Sequence, residues 1–322
     1  MKKILVIGSI NKDLVINAPR FPKEGETILG KSFYTNNGGK GANQSAAIAK
    51  LGGDISILGV VGDDNFGKDL SYSLSSNKVN IDNLITKKNV STGIAFITVI
   101  ESGANNIIVS QGANALITKE DIKEDLINKY DIIVMQLEIP LEIAKYSAKI
   151  SKKLNKIVVL NPSPAIKLDK EFLSYIDILI PNETEINIIG GIDYVFDCGV
   201  KNIILTLGKK GCELITKENN KINRKTFNAY NVEVVDTTAA GDSFLGGIVR
   251  MLSEDKTIEE ATTDAVSVLS ILGPNDTTLE FISWIFSISS SSKPPSGPTK
   301  IPIEFMSAPS IALFIDTVLS FS

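Results

Sequence analysis

The segment Ala239-Ala240-Gly241-Asp242 combines small residues with one acid, where the chain is predicted to pass from a strand into a helix. The β-branched run at residues 232–235 predicts the strand, and apolar residues at helical spacing over 244–252 predict the helix. Free amides at a helix N-terminus favour a bound anion, and small residues let that anion approach the backbone. The segment therefore predicts an anion site that also contains a carboxylate.

Phosphoryl transfer accounts for an acid beside an anion site. In that chemistry the amides hold the migrating phosphoryl group, and Asp242 accepts the proton of the attacking hydroxyl. The alternative is that Asp242 only caps the helix. The segment alone leaves both interpretations open, so the other strand ends must decide.

Composition limits the remaining possibilities. The chain has 322 residues, 43% of them hydrophobic, and a net charge of −4, which suits one large α/β domain or two smaller ones. The absence of histidine excludes a Ser-His-Asp triad and a histidine-ligated zinc site. Cys198 and Cys212 form no C-x-x-C pair, so a reduced, cytoplasmic protein is expected. With no basic block and no apolar run of membrane length, we expect neither a nucleic-acid nor a membrane partner.

Short apolar runs alternate with amphipathic stretches along most of the chain. The runs predicted as strands are residues 4–7, 55–61, 132–135, 157–160, 178–180 and 203–205. The stretches predicted as helices are 43–51, 66–75, 141–154 and 183–189. This alternation predicts an α/β fold with a doubly wound, mostly parallel sheet, which binds ligands outside the carboxyl ends of its strands. Polar residues follow nearly every predicted strand and indicate a single cleft: Asn11, Asp13, Asp63, Asp64, Gln136, Glu138, Asn161, Asn182, Glu185 and Thr206.

Two segments break this alternation. Residues 14–18 with 27–34, and 92–100 with 106–110, are predicted to be extended and joined by turns. They predict a small separate sheet, with Asn11 and Asp13 at its root, that forms a lid over the cleft. The alternative is an ordinary edge hairpin of the main sheet.

The glycine-rich segment at residues 37–43 precedes a predicted helix. Lys40 is followed by Gly41, so the segment is not a Walker A loop. It is either a tight turn, or a place where the backbone approaches a polyhydroxy ligand while Asn43 offers a donor and an acceptor.

Two further segments also leave alternatives open. Residues 206–211 form either a simple hairpin or a loop that wraps a nucleotide with its backbone. Asn182 and Glu185 either complete a capping box or face the cleft and hold water around Mg²⁺.

Six segments, in this order and spacing, resemble those of the ribokinase-like sugar kinases. They are Ser9-Ile10-Asn11-Lys12-Asp13, Gly38-Gly39-Lys40-Gly41-Ala42-Asn43, Met135-Gln136-Leu137-Glu138, Asn161-Pro162-Ser163-Pro164, Pro181-Asn182-Glu183-Thr184-Glu185 and Asp236-Thr237-Thr238-Ala239-Ala240-Gly241-Asp242. The resemblance covers roughly residues 1–275 and implies that family's fold, with a lid formed by about residues 11–34 and 91–111. It implies ATP-dependent phosphorylation of D-ribose at its 5-hydroxyl, and a homodimer that pairs through the lids.

The resemblance also implies roles for individual residues. Asp242 would be the base, and Ala239, Ala240 and Gly241 would form the anion hole. Other matching positions would bind the sugar: Asn11, Asp13, Gly39, Lys40, Gly41, Asn43 and Glu138. ATP would be bound by Asn182, Thr206, Leu207, Gly208, Lys209, Gly211 and Gly241. Glu185 would support Mg²⁺, and Asp236 and Thr238 would help to hold an activating K⁺.

The C-terminal part departs from the family pattern. Val268, Ile271, Gly273 and Thr277 fall where the family closes its cation site, and Thr262 falls where a residue lining the adenine pocket is expected. We therefore expect a kinase domain over residues 1–277, with residues 192–199 as a shortened crossover. Residues 278–322 match nothing in the family. They form either a packing extension, a regulatory attachment, or the product of a reading-frame change.

Three functions remain open at this point: a ribose kinase, a kinase for another sugar or a nucleoside, and a sugar-binding protein without turnover. The intact Asp242 loop favours catalysis, whereas the unmatched tail favours the third.

Overall fold

The computed structural model describes residues 1–219, 221–229 and 239–271. In chain order its strands are β1 (Ile4–Ile7), β2 (Asn11–Ala18), β3 (Ser32–Gly38), β4 (Ile55–Gly62), β5 (Leu84–Lys87), β6 (Gly93–Ile100), β7 (Asn105–Ser110), β8 (Ile132–Met135), β9 (Ile157–Leu160), β10 (Ile178–Leu179), β11 (Asn202–Thr206), β12 (Cys212–Glu218) and β13 (Lys221–Phe227). Within the described ranges they form a nine-stranded sheet, in the order β13-β12-β11-β10-β9-β8-β1-β4-β5, and a four-stranded sheet, in the order β3-β2-β6-β7.

The helices lie between these strands as the alternating pattern predicts. They are α1 (Lys40–Lys50), α2 (Asn65–Ser76), α3 (Glu124–Ile127), α4 (Leu141–Lys153), α5 (Lys170–Leu173), α6 (Glu183–Ile189), α7 (Ile192–Asp197), α8 (Ala240–Leu252) and α9 (Ile258–Ile271). The four predicted helices are confirmed to within three residues at each end. The short α7 fills the place of the shortened crossover.

The centre of the large sheet is parallel and wholly apolar. Ile4 of β1 pairs with Ile55 of β4 on one side and with Ile132 of β8 on the other. All four residues of β1 and of β8 are buried. Strands covered by helices on both faces need side chains that pack on both faces, so the continuous apolar runs are the expected sequence. The predicted doubly wound sheet is confirmed.

One edge of the large sheet is antiparallel. β12 pairs with β11 and β13 pairs with β12, both antiparallel. The hairpin predicted after residue 206 is confirmed, whereas β13 was not predicted, because its alternating lysines and polar residues lack an apolar run.

The four-stranded sheet is separate from the large sheet, so the small separate sheet is confirmed and the edge-hairpin alternative is wrong, whereas its action as a lid stays a prediction. One boundary was also wrong. The extended piece predicted at 27–34 lies at Ser32–Gly38, so Asn37 and Gly38 belong to a strand and not to a loop. Pairing of β3 with β2 brings Gly38 opposite Asn11, which places the glycine segment directly beside the polar root of the lid.

Several predictions concern residues outside the described ranges. These are the strand at 232–235, the cation-site residues Asp236, Thr238, Gly273 and Thr277, and the tail from 278 to 322. Among the residues that the structure does describe, no helix is long and apolar enough to cross a membrane.

Candidate active site

Helix α8 begins at an unusual backbone turn. Ala239 precedes it in the left-handed conformation, with φ 58° and ψ 11°, and gives no side-chain cap. The first hydrogen bond of the helix runs from the amide of Ser243 to the carbonyl of Ala239, so the amides of residues 240–242 precede the helical ladder. A Cβ on Gly241 would have no atom of the described residues within 4 Å. Among the residues that the structure describes, nothing covers the amides at the start of α8, as an anion site requires.

The carboxylate of Asp242 bonds to another helix and not to its own. Its Oδ2 accepts a hydrogen bond from Asn43 Nδ2 at 3.1 Å, and its Oδ1 accepts one from Gln44 Nε2 at 2.9 Å. Burial, which leaves Asp242 only 7% exposed, raises the pKa of this carboxyl, while Lys40 and the two amides act in the opposite direction. These contacts with α1 are not explained by a helix cap alone, and the role of Asp242 as the base stays a prediction.

Close packing of α1 on α8 makes these contacts possible. A Cβ built on Gly246 would lie only 2.7 Å from the Cβ of Ala47. Gly246 lies one helical turn after Asp242, and Ala47 lies one turn after Asn43. Because glycine lets the two helices approach here, the amides of α1 reach the acid of α8.

Glu138 is held through one of its two oxygens. Its Oε2 accepts hydrogen bonds from Ser9 Oγ at 2.5 Å, from the Lys40 amide at 3.2 Å and from Asn11 Nδ2 at 3.5 Å. These donors come from the segment after β1, from the start of α1 and from β2. Oε1 takes part in none of these bonds, so one acceptor of Glu138 is left for a ligand.

Asn11 is oriented by a second, buried asparagine. Asn114 Nδ2 donates to Asn11 Oδ1 at 2.8 Å, and Asn114 Oδ1 accepts from the Ile10 amide at 2.9 Å. Since the oxygen of Asn11 is engaged, its amide nitrogen is the group that faces Glu138. The side chain is therefore oriented to serve a ligand as a donor.

Asp13 lies in β2 with its carboxylate against the backbone of β3. A Cβ on Gly38 would lie 2.3 Å from Asp13 Oδ2, so only glycine leaves room for the acid. Burial raises the pKa of the Asp13 carboxyl to about 6, repulsion from Glu138 adds to the shift, and Lys12 opposes it. Two carboxylates thus face the same space.

The glycines before α1 pack against the chain itself. Gly39 has φ 90°, and a Cβ there would lie 2.6 Å from the Asn11 amide nitrogen. A Cβ on Gly41 would lie 2.7 Å from the backbone between Gly8 and Ser9. This close approach brings the Lys40 amide to Glu138. Direct contact of Gly39 and Gly41 with a sugar stays a prediction.

We call the residues assembled here the carboxylate cluster. Its members are Ser9, Asn11, Asp13, Lys40, Asn43, Glu138 and Asp242.

A second polar group, the β10–β11 corner, lies along the same edge of the large sheet. Its members are Asn182, Glu185, Thr206, Leu207, Gly208, Lys209 and Gly211. Asn182 Oδ1 accepts from the Glu185 amide, and Glu185 Oε2 accepts from the Asn182 amide, both at 2.8 Å, which confirms the capping box. Because β1 and β10 are three strand spacings apart, the corner is about 15 Å from the carboxylate cluster.

The turn of the β10–β11 corner is stabilised by its own backbone. The Thr206 amide donates to the Pro181 carbonyl at 2.9 Å, and the Leu207 amide donates to the Gly211 carbonyl at 2.8 Å. Gly208 and Gly211 adopt φ 57° and 98°, which glycine tolerates. Lys209 is exposed. The corner thus offers exposed polar groups beside a tight turn.

A family model described as pfkB family carbohydrate kinase matches residues 1–276. The chain belongs to this family. It is 37% identical to a ribokinase of Haemophilus influenzae over 305 residues, which is 87% of this chain and 98% of that protein. It is 36% identical to a deoxyribokinase of Salmonella typhi over 279 residues, covering 82% and 90% of the two chains. The fold matches a structure of Arabidopsis thaliana ribokinase complexed with ribose and ATP, with TM-score 0.76, 30% identity and coverage of 88% and 98%.

The structure describes only some of the residues predicted to bind Mg²⁺ and K⁺ in this carbohydrate kinase. No group of three or more acidic, cysteine or histidine side chains that could hold a metal occurs within 1–219, 221–229 and 239–271. Glu185 uses Oε2 in the capping box, which leaves Oε1 for a hydrated ion. Val268 and Ile271 lie in α9, where the side chains are outside the described part. The Thr262 hydroxyl, expected near adenine, donates to the Ile258 carbonyl at 2.6 Å.

Four polar residues of the site were given no role from the sequence: Ser9, Gln44, Asn114 and Gln136. Ser9 and Gln136 belong to the segments that carry the family resemblance, and Gln136 also follows a predicted strand. Gln44 directly follows Asn43, and its place beside a predicted site residue is a local signal. Asn114 lies over 100 residues from its partners Ile10 and Asn11, and no local pattern signals such a pairing.

Proposed function

We propose that this protein transfers the terminal phosphoryl group of ATP to the 5-hydroxyl of D-ribose, giving ADP and D-ribose 5-phosphate. One observation carries the proposal: a buried carboxylate, Asp242, lies between the open amides of α8 and a cluster of sugar-compatible acceptors and donors. The relatives named ribokinase, and the Arabidopsis thaliana structure complexed with ribose and ATP, support the choice of substrates.

In this proposal Asp242 acts as the general base. Its Oδ2 accepts the proton of the ribose 5-hydroxyl while the oxygen attacks the terminal phosphorus and the bond to ADP breaks. The amides of Ala240, Gly241 and Asp242 hold the phosphoryl oxygens, with Ala239 fixing the turn. The raised pKa of Asp242 strengthens it as a base, because a buried carboxylate gains more from taking up a proton.

The other sugar hydroxyls bind the rest of the carboxylate cluster. Asp13 and the free Oε1 of Glu138 accept hydrogen bonds from hydroxyls, and Asn11 donates. Lys40 and Asn43 complete the set beside Asp242, with Gly39 and Gly41 supplying backbone. Buried polar groups that are already oriented favour a ligand that satisfies all of them.

ATP lies along the sheet edge from α8 to the β10–β11 corner. Asn182, Thr206 and the turn from Leu207 to Gly211 bind it, with Gly241 at the phosphate end. Glu185 fits Mg²⁺, since this ion keeps much of its water and needs few protein carboxylates. The ion neutralises phosphate charge when bound. K⁺ would be held by Asp236, Thr238 and the segment 268–277, the end of the proposed kinase domain.

We further infer that two copies pair through their lids. The register of β2, β3, β6 and β7 places Ile16, Phe33, Phe96 and Ile108 on the face opposite Asp13. Phe33, Phe96 and Ile108 are 63%, 52% and 72% exposed, an apolar surface that a second lid would cover. Ile108→Asp should give a monomer in analytical ultracentrifugation, whereas Tyr72→Asp on α2 should leave the dimer intact. Equal masses for wild type and Ile108→Asp would contradict pairing through this face.

A second candidate function is phosphorylation of 2-deoxyribose, favoured by the 36% identity to a deoxyribokinase. A nucleoside kinase and a sugar-binding protein without turnover are further alternatives.

The test is ADP release by purified protein with ATP and Mg²⁺, with ribose, 2-deoxyribose, fructose 6-phosphate and adenosine compared. Ribose should give the highest kcat/KM. A better rate with another acceptor would contradict the ribose assignment, and no turnover with any would support binding alone.

The K⁺ expectation has its own test. Activity is titrated with KCl at constant ionic strength, on the full chain and on a chain ending at Pro298. We expect K⁺ to raise activity well above its level in Na⁺. A flat response in both chains would contradict a closed cation site.

A further inference from the structure

A line of hydrogen bonds leads from Asp242 into the protein interior, away from the open side of the site. Gln44 Nε2, on α1, donates to Asp242 Oδ1 at 2.9 Å. Gln136 Nε2, directly after β8, donates to Gln44 Oε1 at 2.5 Å. Both glutamines are 0% exposed. Neither has a place in the mechanism above, although the first touches the base.

The charge of Asp242 fixes the direction of both amides. An ionised carboxylate only accepts hydrogen bonds, so the nitrogen of Gln44 must face it and the oxygen of Gln44 must face Gln136. The nitrogen of Gln136 must then face Gln44. Reversing either amide would set oxygen against oxygen.

The far end of the line is an oxygen without a partner. Gln136 Oε1 is buried and accepts no hydrogen bond within the described part of the chain. It lies against Gly8, where a Cβ would come to 2.0 Å from it, so a side chain at position 8 would displace the Gln136 amide. An unpaired buried acceptor destabilises the fold. Two buried glutamines that end on such an oxygen are a poor choice for packing alone, and this points to a function for the line.

The two oxygens of Asp242 have different hydrogen-bond partners. Oδ1 is tied to the interior by Gln44, whereas Oδ2 lies on the side of Asn43, at the carboxylate cluster. The charged side chains that act most strongly on Asp242 are Lys40 from α1 and Glu138 from the segment after β8, and they act in opposite directions. Gln44 is thus one of the few groups that favour the ionised form.

We propose that Gln44 and Gln136 form an amide relay that positions Asp242, holding Oδ1 so that Oδ2 faces the acceptor hydroxyl. The proposal rests on the proposed role of Asp242 as the base. Gln44 and Gln136 are positioning residues, since they act through Asp242 and touch no substrate.

The first test replaces the amides by an apolar side chain of similar length. Gln44→Met should lower kcat roughly tenfold, the effect of one hydrogen bond to a charged group, and leave the KM for ribose within about twofold. The acid limb of the kcat–pH profile should move to higher pH, because a donor that stabilises the carboxylate is lost. Gln136→Met should cause a smaller shift in the same direction. The double variant should be no worse than Gln44→Met, since the second amide acts through the first.

The matched control is Ser147→Ala. The hydroxyl of Ser147 is also buried and without a partner among the described residues, but it lies on α4, away from Asp242. This variant should leave the pH profile unchanged. If Gln44→Met lowers only the melting temperature, with kcat and the acid limb as in wild type, the glutamines are structural and the relay is wrong.

A second measurement needs no turnover. The titration of Asp242 is followed by ¹³C NMR of protein labelled at aspartate carboxyls, with the signal assigned by its absence in Asp242→Asn. The midpoint should be higher in Gln44→Met than in wild type, and higher also in Gln44→Glu, a variant of nearly unchanged shape. If the wild type is inactive, the proposed function is wrong, but the NMR titration can still be interpreted because it does not depend on turnover. An unchanged midpoint in both variants would overturn the relay, even in an active enzyme.

Discussion

The carboxylate cluster and the β10–β11 corner organise polar side chains in different ways. In the cluster, Glu138 and Asp242 are held by donors from β2, from α1 and from the segment after β1, up to 199 residues away in sequence. In the corner, the side chains of Asn182 and Glu185 bond across three residues of one helix start, and the longest connection is from Thr206 to the Pro181 carbonyl, 25 residues away. The cluster is therefore a product of the whole fold, whereas the corner is largely a local structure.

This difference has energetic consequences. Buried or half-buried acids cost stability when they are charged, but those held by amide and hydroxyl donors are already oriented when a sugar arrives, which lowers the reorganisation needed for catalysis. The exposed polar groups of the corner cost little folding stability. Substituting one of them leaves few hydrogen-bond partners unsatisfied. We expect substitutions in the cluster to have large effects on turnover and sugar use, and those in the corner to have small ones.

The largest effect should follow from Asp242→Asn. The variant keeps the shape and its contact with Asn43, but it lacks the base. Since general-base assistance contributes about 10²–10⁴-fold, kcat should fall by that factor while ribose still binds. Stopped-assay rates and calorimetric ribose binding measure the two effects. Asp255→Asn, an exposed acid after the same helix, is the control, and a near-normal kcat in Asp242→Asn would remove the base from the mechanism.

Asp13→Asn should weaken ribose binding while it makes the folded protein more stable near neutral pH. Sugar binding loses a charged acceptor, so the KM for ribose should rise about 10-fold or more. The pKa of Asp13 is raised from 3.8 to about 6, so the folded protein becomes less stable as the pH rises through this window and stays so above it. The Asn variant should therefore melt at a higher temperature than wild type above pH 6, with the difference vanishing below about pH 4. A lower melting temperature at pH 7.5 would contradict a strained acid at this position.

The choice between ribose and 2-deoxyribose tests whether every polar group of the carboxylate cluster needs a hydroxyl partner from the sugar. A missing hydroxyl leaves a buried acceptor unpaired, so 2-deoxyribose should lose about tenfold in kcat/KM or more. Competition assays with both sugars measure this ratio. Equal kcat/KM values for the two sugars would mean that Asp13 and Glu138 accept no hydrogen bond from the 2-hydroxyl of ribose.

Asn182→Ala should have the smallest effect. Loss of the cap should lower the free energy of unfolding by about 1 kcal/mol, and the KM for ATP should rise only a few-fold. Asp169→Ala removes the cap of α5, away from the site, and should cost similar stability without changing the KM for ATP. If the two variants behave alike towards ATP, Asn182 serves only its helix.

The sequence predicts the parts of this molecule that depend on local patterns. The buried strands, the four helices and the capping box at Asn182 follow from apolar runs and cap residues. The contact of Asn114 with Asn11 and the line from Gln136 to Asp242 do not, because they depend on which strands are neighbours and how closely two helices approach. Gly246 shows the limit: its role against Ala47 is visible only once α1 and α8 are packed together.

The central claim is that this protein places a phosphoryl group on the 5-oxygen of ribose, with Asp242 as base. It is tested most directly by incubating the protein with ATP, Mg²⁺ and uniformly ¹³C-labelled ribose, and following the mixture by ³¹P and ¹³C NMR. The account predicts one sugar ester whose phosphorus couples to C5, formed by wild type and slowed at least 100-fold in Asp242→Asn. An ester at another carbon, or ATP hydrolysis without any sugar ester, would contradict it.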